Sequence, residues 1–193
     1  MTSLGRLLSM VGLVVALTFE TGDATADVRV PLQLQAQLVS RLAAFDRNFT
    51  SRAGATARVL VVSKTGDAES KRVASTIARA LGGLRDVGGL PAKIEEVDFS
   101  DPTSLAARTR QDHVALVYLS IGLEGETTAI SKALVGANVL TVGASPLHVT
   151  KGAVAGLDLE EGRPKIVINL ACARAQSVAF KAEVLKLARL IEP

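Results

Sequence analysis

The sequence predicts an α/β protein: a single three-layer α/β/α sandwich built on a mostly parallel sheet, with a C-terminal antiparallel hairpin. Three observations lead there. Short valine-rich runs such as Arg58–Ser63 and Val114–Leu119 are apolar at consecutive positions rather than alternating, which marks strands covered on both faces. These runs alternate with segments of helical periodicity, the pattern of a parallel sheet with crossover helices. The last two candidate strands are separated only by a tight turn at Glu161-Gly162, and so short a link permits only antiparallel pairing.

Taken in order, Pro31 opens a first helix in which Leu34, Leu38, Leu42, Phe45 and Phe49 recur every three or four residues. That spacing predicts one apolar stripe running to about Phe49. Arg58–Ser63 is the first strand, followed by the turn Lys64-Thr65-Gly66-Asp67. Asp67 suits an N-cap, Glu69 favours the first helical turn, and Val73, Ile77 and Leu81 supply the buried stripe before Gly82-Gly83 ends the helix. Ile94–Asp98 reads as a strand, and Asp101-Pro102 as an N-cap with proline at the first helical position, opening a helix to about Gln111. Val114–Leu119 is a strand, Glu124–Gly136 a helix and Val139–Val142 a strand. The hairpin spans about Ala153–Glu160 and Lys165–Leu170. Phe180, Val184, Leu187 and Ile191 then predict a closing amphipathic helix.

The N-terminus has the layout of a secretory signal. Arg6 precedes the apolar run Leu7–Phe19, and Ala24-Thr-Ala26 offers small residues for cleavage before Asp27. The run is shorter than the roughly 20 residues that span a bilayer core. Residues 1–26 are therefore read as a signal peptide and 27–193 as one domain, exported to the periplasm. Removing residues 1–26 takes away Arg6, Glu20 and Asp23 and moves the formal charge from +3 to +4. This basicity is dispersed, and aromatics make up 3 % of the chain, so neither a phosphate-tracking stripe nor a base-stacking platform is present. Nucleic acid is excluded as a partner.

No residue pattern points to catalysis or to a cofactor. Glu95 and Glu96 are neighbours on a strand and face opposite sides. Ser120 and Ser145 end strands but lie in no G-x-S-x-G elbow. His113, read as a strand-edge residue, and His148, in a polar helical turn, show no metal-ligand spacing, and Cys172 is the sole cysteine. With no internal partner, Cys172 is read as a small buried hydrophobe. Ligands of open α/β sheets sit beyond the carboxyl ends of the strands, here the loops Ser63–Asp67, Ser120–Glu126 and Gly143–Thr150. Lys64, Thr65, Gly66 and Asp67 form the candidate anion or ligand loop, before a helix N-terminus. Neither phosphate-binding glycine pattern occurs there, so the competing reading is an ordinary capped turn with Asp67 on the backbone amides.

Several segments carry a family resemblance. They are Leu34-Gln-Ala-Gln-Leu-Val39, Phe45-Asp-Arg-Asn-Phe49, Val59-Leu-Val-Val-Ser-Lys64, the pattern Gly156…Gly162-Arg-Pro-Lys-Ile166…Asn169-Leu170, and Val184-Leu-Lys-Leu-Ala-Arg-Leu-Ile191. Together they resemble YfiR-like proteins. The resemblance implies a non-catalytic periplasmic regulator that restrains a membrane-bound diguanylate cyclase by contact, within cyclic-di-GMP signalling. It implies an inner-membrane signalling partner, a diguanylate cyclase or a sensor kinase, and leaves a homodimer open. The best-known members carry paired cysteines, whereas this chain has Cys172 alone, so an internal redox switch is not available to it. The alternative is a small-solute-binding periplasmic receptor using the strand-end loops; an enzyme would need two convergent ionisable groups in a pocket.

Overall fold

Tyr118 and Gln35 show how the layers are locked. The tyrosine hydroxyl donates to Gln35 Oε1 at 2.7 Å, and Gln35 Nε2 donates to the Val30 carbonyl at 2.9 Å. Both side chains are fully buried, so the pair satisfies polar atoms that would otherwise be stranded between helix and sheet. Burial pushes the Tyr118 phenol far above its usual range and keeps it a neutral donor.

The structure, a computed structural model, describes residues 30–191; the expected signal peptide lies outside them. The elements are α1 (Leu32–Ala44), α2 (Phe49–Ala53), β1 (Ala57–Lys64), α3 (Ala68–Gly82), β2 (Ala92–Phe99), α4 (Pro102–Gln111), β3 (Leu116–Leu119) and α5 (Thr127–Ala133). They continue with β4 (Leu140–Gly143), α6 (Pro146–Thr150), β5 (Ala155–Glu160), β6 (Arg163–Asn169), α7 (Leu170–Ala175), α8 (Ala182–Leu187) and β7 (Arg189–Ile191). One seven-stranded sheet has the order β2-β1-β3-β4-β5-β6-β7. Pairing is parallel from β2 across to β5, antiparallel between β5 and β6, and parallel again between β6 and β7. Glu161 and Gly162 both have positive φ, at 50° and 74°, as a two-residue type I′ hairpin turn requires.

Alternate residues of the central strands feed two cores. Val59, Val61, Leu116, Tyr118 and Val142 face α1, α3 and α8. Leu60, Val62, Val117 and Leu119 face α4 and α5 through Leu105, Ile130 and Leu134. The sheet is therefore covered on both sides, as the valine-rich runs predict.

Four details depart from the sequence reading. The first helix ends at Ala44, where Asp46 leaves the helix to bridge Phe180, and α2 restarts at Phe49. Its buried face is Gln35, Ala36, Val39, Ser40, Leu42 and Ala43, while Leu34 and Leu38 are half-buried. Ala36, Val39 and Ala43 lie within that face, and Leu34 and Leu38 pack against the core from its margin. The closing helix stops at Leu187, which is 70 % exposed, and Arg189–Ile191 pairs as a strand with Val167–Asn169. His113 is a turn residue with φ 51° before β3 rather than a strand-edge residue.

Candidate functional site

The three strand-end loops meet. Lys64 closes β1, and its Nζ lies 3.5 Å from Glu126 Oε1 in the loop after β3. Asp67 caps α3, accepting the Ser70 amide at 2.9 Å. Thr65 Oγ1 donates to the Phe99 carbonyl at 2.5 Å, tying the loop to the end of β2. Gly66 has φ 78° with open space around it. At Gly122, a Cβ would stand 2.8 Å from Asp67 Oδ2 and 3.4 Å from Lys64 Cδ, so backbone packs directly on this loop. Ser120 Oγ donates to the Ser70 carbonyl at 2.8 Å and completes the join. Of the four predicted loop residues, Lys64 and Asp67 meet the second loop, Thr65 turns to β2, and Gly66 supplies the turn.

The third loop enters through His148, whose side chain is fully buried. Its Nε2 lies 3.1 Å from the Ser120 carbonyl and its Nδ1 3.0 Å from Ser145 Oγ. A carbonyl only accepts, so Nε2 carries the proton and the Ser145 hydroxyl donates to Nδ1. Glu124 Oε1 stands 3.7 Å from Nδ1, and it and Glu126 Oε2 are buried oxygens without a hydrogen-bond partner. Burial holds the His148 pKa below the usual histidine value, against the opposing pull of Glu124; Lys151 adds to the lowering.

Ser145 and His148 do not make a triad. Both are buried, and the imidazole donates to a backbone carbonyl rather than to an acid. Among the described residues no group of three His, Cys, Asp or Glu side chains is placed to hold a metal. Cys172 is half-buried, and burial pushes its thiol upward, away from the thiolate a nucleophile needs. The arrangement cross-ties loops and presents carboxylate oxygens. Sequence reading located the loops but missed Glu124, Glu126 and the Ser145–His148 pair, whose only signal is their place after strand ends.

The buried neutral His148 gives a pH dependence with a definite sign. The unfolded chain takes up a proton near pH 6.5, which the folded state refuses until lower pH. Stability is thus full above about pH 6.5 and falls below it, at up to about 1.4 kcal/mol per pH unit for one proton. Urea midpoints at pH 7.5 and 5.5 check this, with His148→Gln reducing the difference.

A second candidate surface lies on the flank of the hairpin. Leu38, Pro164, Ile166 and Leu187 form the apolar lining of a groove of about 760 Å³, rimmed by Glu160, Glu161, Arg163 and Lys165. Arg189 anchors the hairpin beside it, with 2.7 Å to Asp158 and 2.6 Å to Glu160. The rotation of α1 and the early stop of α8 are what leave Leu38 and Leu187 available there.

Residues 32–189 match the family model described as YfiR/HmsC-like. The chain belongs to the YfiR/HmsC-like family. No curated protein sequence matches it. Solved structures similar to this YfiR/HmsC-like protein include an ABC domain in complex with L-Trp from Streptococcus pneumoniae, at 13 % identity and a TM-score of 0.59. Another is a conserved domain protein from Vibrio cholerae, at 14 % and 0.59. A third is the ligand-free, open form of a substrate-binding protein with adhesive properties from Clostridium difficile, at 12 % and 0.59. They cover 83 %, 84 % and 84 % of this chain, which spans 62 %, 60 % and 60 % of theirs. At such identities the likeness is one of α/β fold. Among the described residues of the YfiR/HmsC-like chain, no helix is long and apolar enough to cross a membrane.

Proposed function

We propose that this protein is a non-catalytic periplasmic regulator that restrains a membrane-bound diguanylate cyclase by protein–protein contact. The observation that carries the reading is the family match across residues 32–189, since members of that family are periplasmic regulators acting with membrane signalling proteins. The apolar groove supports it and supplies a contact surface. Leu187 is 70 % exposed beside Leu38 and Ile166, and an apolar surface with a charged rim is the anatomy of a protein interface.

Crosslinking in intact cells of the native host, with mass spectrometry of captured proteins, tests the proposal. A membrane protein with a cytoplasmic cyclase domain is the expected catch, and deleting this chain raises its cyclic-di-GMP output. Leu187→Glu abolishes the restraint with an unchanged melting temperature, because the side chain is exposed. Capture of no membrane signalling protein, or full restraint by both Leu187→Glu and Leu38→Glu, overturns it.

A second reading is a small-solute receptor. The fold likeness to a protein bound to L-Trp and to a substrate-binding protein favours it, and the convergent strand-end loops, including Lys64, Thr65, Gly66 and Asp67, would form the pocket. Ligand-dependent melting with free amino acids distinguishes the two readings.

A further inference from the structure

At the opposite end of the sheet, where β3 and β4 begin, a cavity of about 180 Å³ opens among α2, the end of α4 and the loop before β4. Arg52, Thr109, Arg110, His113 and Asn138 supply its polar lining. The rest of the wall is apolar, and no carboxylate lines it. We propose that this cavity is a binding site for a small oxyanion, either a free inorganic ion or the oxyanion head of a small solute. The site is separate from the groove and from the strand-end loops.

The argument starts from Arg52, whose side chain is 2 % exposed. Its Nη1 donates to Asp46 Oδ2 at 2.7 Å, its Nε to Asn138 Oδ1 at 3.1 Å and its Nη2 to the Ser177 carbonyl at 3.0 Å. A guanidinium carries five N–H donors in a rigid fork, so these three bonds aim the group without using all of its donors. Arg110 is held from the other side, its Nη2 donating to the carbonyls of Ala133 at 2.8 Å and Val135 at 3.4 Å. Asp46 offsets the charge of Arg52, which leaves Arg110 as the uncompensated cation of the lining. Two positioned guanidiniums, an imidazole and an amide suit an oxyanion, because charge-assisted bonds to a planar fork are the strong ones. The volume fits an ion of phosphate size with a few waters, each occupying about 30 Å³.

The backbone adds an independent mark. Among the described residues, four non-glycine residues have positive φ: Glu161 in the hairpin turn, and His113, Asn138 and Ser177 at 51°, 51° and 57°. The last three surround Arg52: two line the cavity, and Ser177 gives Arg52 its carbonyl. Sparsely populated conformations held together at one place are typical of binding sites, where surrounding structure maintains them.

Thermal melting of the purified protein tests this, with inorganic phosphate, sulfate and acetate each compared with chloride at matched ionic strength. A saturable rise in Tm with at least one of the three is expected. Side-chain NMR then shows the Arg52 Nε–H and Asn138 amide signals moving with the same dissociation constant. Arg110→Gln changes a solvent-exposed residue, so the ligand-free Tm stays in place while binding weakens roughly ten- to hundredfold, the loss of one charged hydrogen bond. His113→Gly relieves the positive φ, keeps or raises the ligand-free Tm, and weakens binding. A response to inorganic ions alone assigns a free ion; tighter binding of a phosphomonoester or a dicarboxylate assigns the head of a solute. No saturable response beyond chloride, or an equal response in Arg110→Gln, overturns the site.

Discussion

Asp46→Ala lowers the unfolding free energy by about 3–5 kcal/mol, because it strands a buried arginine. The Asp46 and Arg52 side chains are 0 % and 2 % exposed and meet at 2.7 Å. Asp46 Oδ1 also accepts the amides of Asn48 at 3.1 Å and Ala179 at 2.9 Å. One carboxylate therefore joins the α1–α2 link to the segment between α7 and α8, and Arg52 extends the join to Asn138. Substituting both partners by Leu and Met recovers only part of the loss. The charge is then gone, but the two backbone amides still lack an acceptor. Chemical denaturation of the single and double variants measures this. Lys71→Ala, which breaks the exposed Lys71–Asp98 pair, leaves the midpoint nearly where it was. A single variant as stable as the parent would show that the join does not hold the fold.

Gly143→Ala is the second large effect. A Cβ there would lie 2.1 Å from His148 Cβ and 2.5 Å from His148 Cγ. Gly143 pairs with Gly156 on β5, where a Cβ would meet Val149 Cγ2 at 2.6 Å. The two bare positions let α6 lie directly on the sheet, which is why His148 has no exposure. An added methyl forces α6 outward and breaks the His148 bonds to Ser120 and Ser145. Overpacking of about 1–3 kcal/mol adds to a similar amount for the buried polar atoms left unpaired. Loss of 3 kcal/mol or more is the expected result in urea titration. Gly82→Ala, at the end of α3 with nothing within 4 Å, is neutral or slightly stabilising. Equal stability of Gly143→Ala and the parent would refute the close approach.

How far the sequence carries depends on the range of the interaction. The apolar runs at Arg58–Ser63 and Val114–Leu119 foretell covered strands because burial on both faces writes itself into consecutive residues. Asp67 and Asp101 foretell helix starts because capping acts across three residues, and each accepts the amide of the serine three positions on. The rotation of α1 is not legible, since leucines and small residues there both satisfy a helical stripe and only the neighbouring layer chooses between them. The stop of α8 escapes for a related reason. Leu187 continues the period, but pairing with β6 outweighs one more helical turn. At the strand-end site the loops follow from topology, while Glu124 and the Ser145–His148 pair depend on contacts between loops. The Asp46–Arg52–Asn138–Ser177 network joins residues more than a hundred positions apart, and no local pattern announces it.

The two margins of the sheet are defended in different ways. On one side, β2 offers a long outer edge, but Lys93, Glu95, Glu96 and Asp98 stud it with charge. On the other, the outer strand among the described residues is β7, whose Arg189, Leu190 and Ile191 make a short template for a foreign strand. Lateral growth into a continuous sheet between copies is thereby discouraged at both ends. Partners and ligands are therefore left to the groove, the strand-end loops and the cavity, where recognition is by shape and side chain rather than by the common grammar of the backbone.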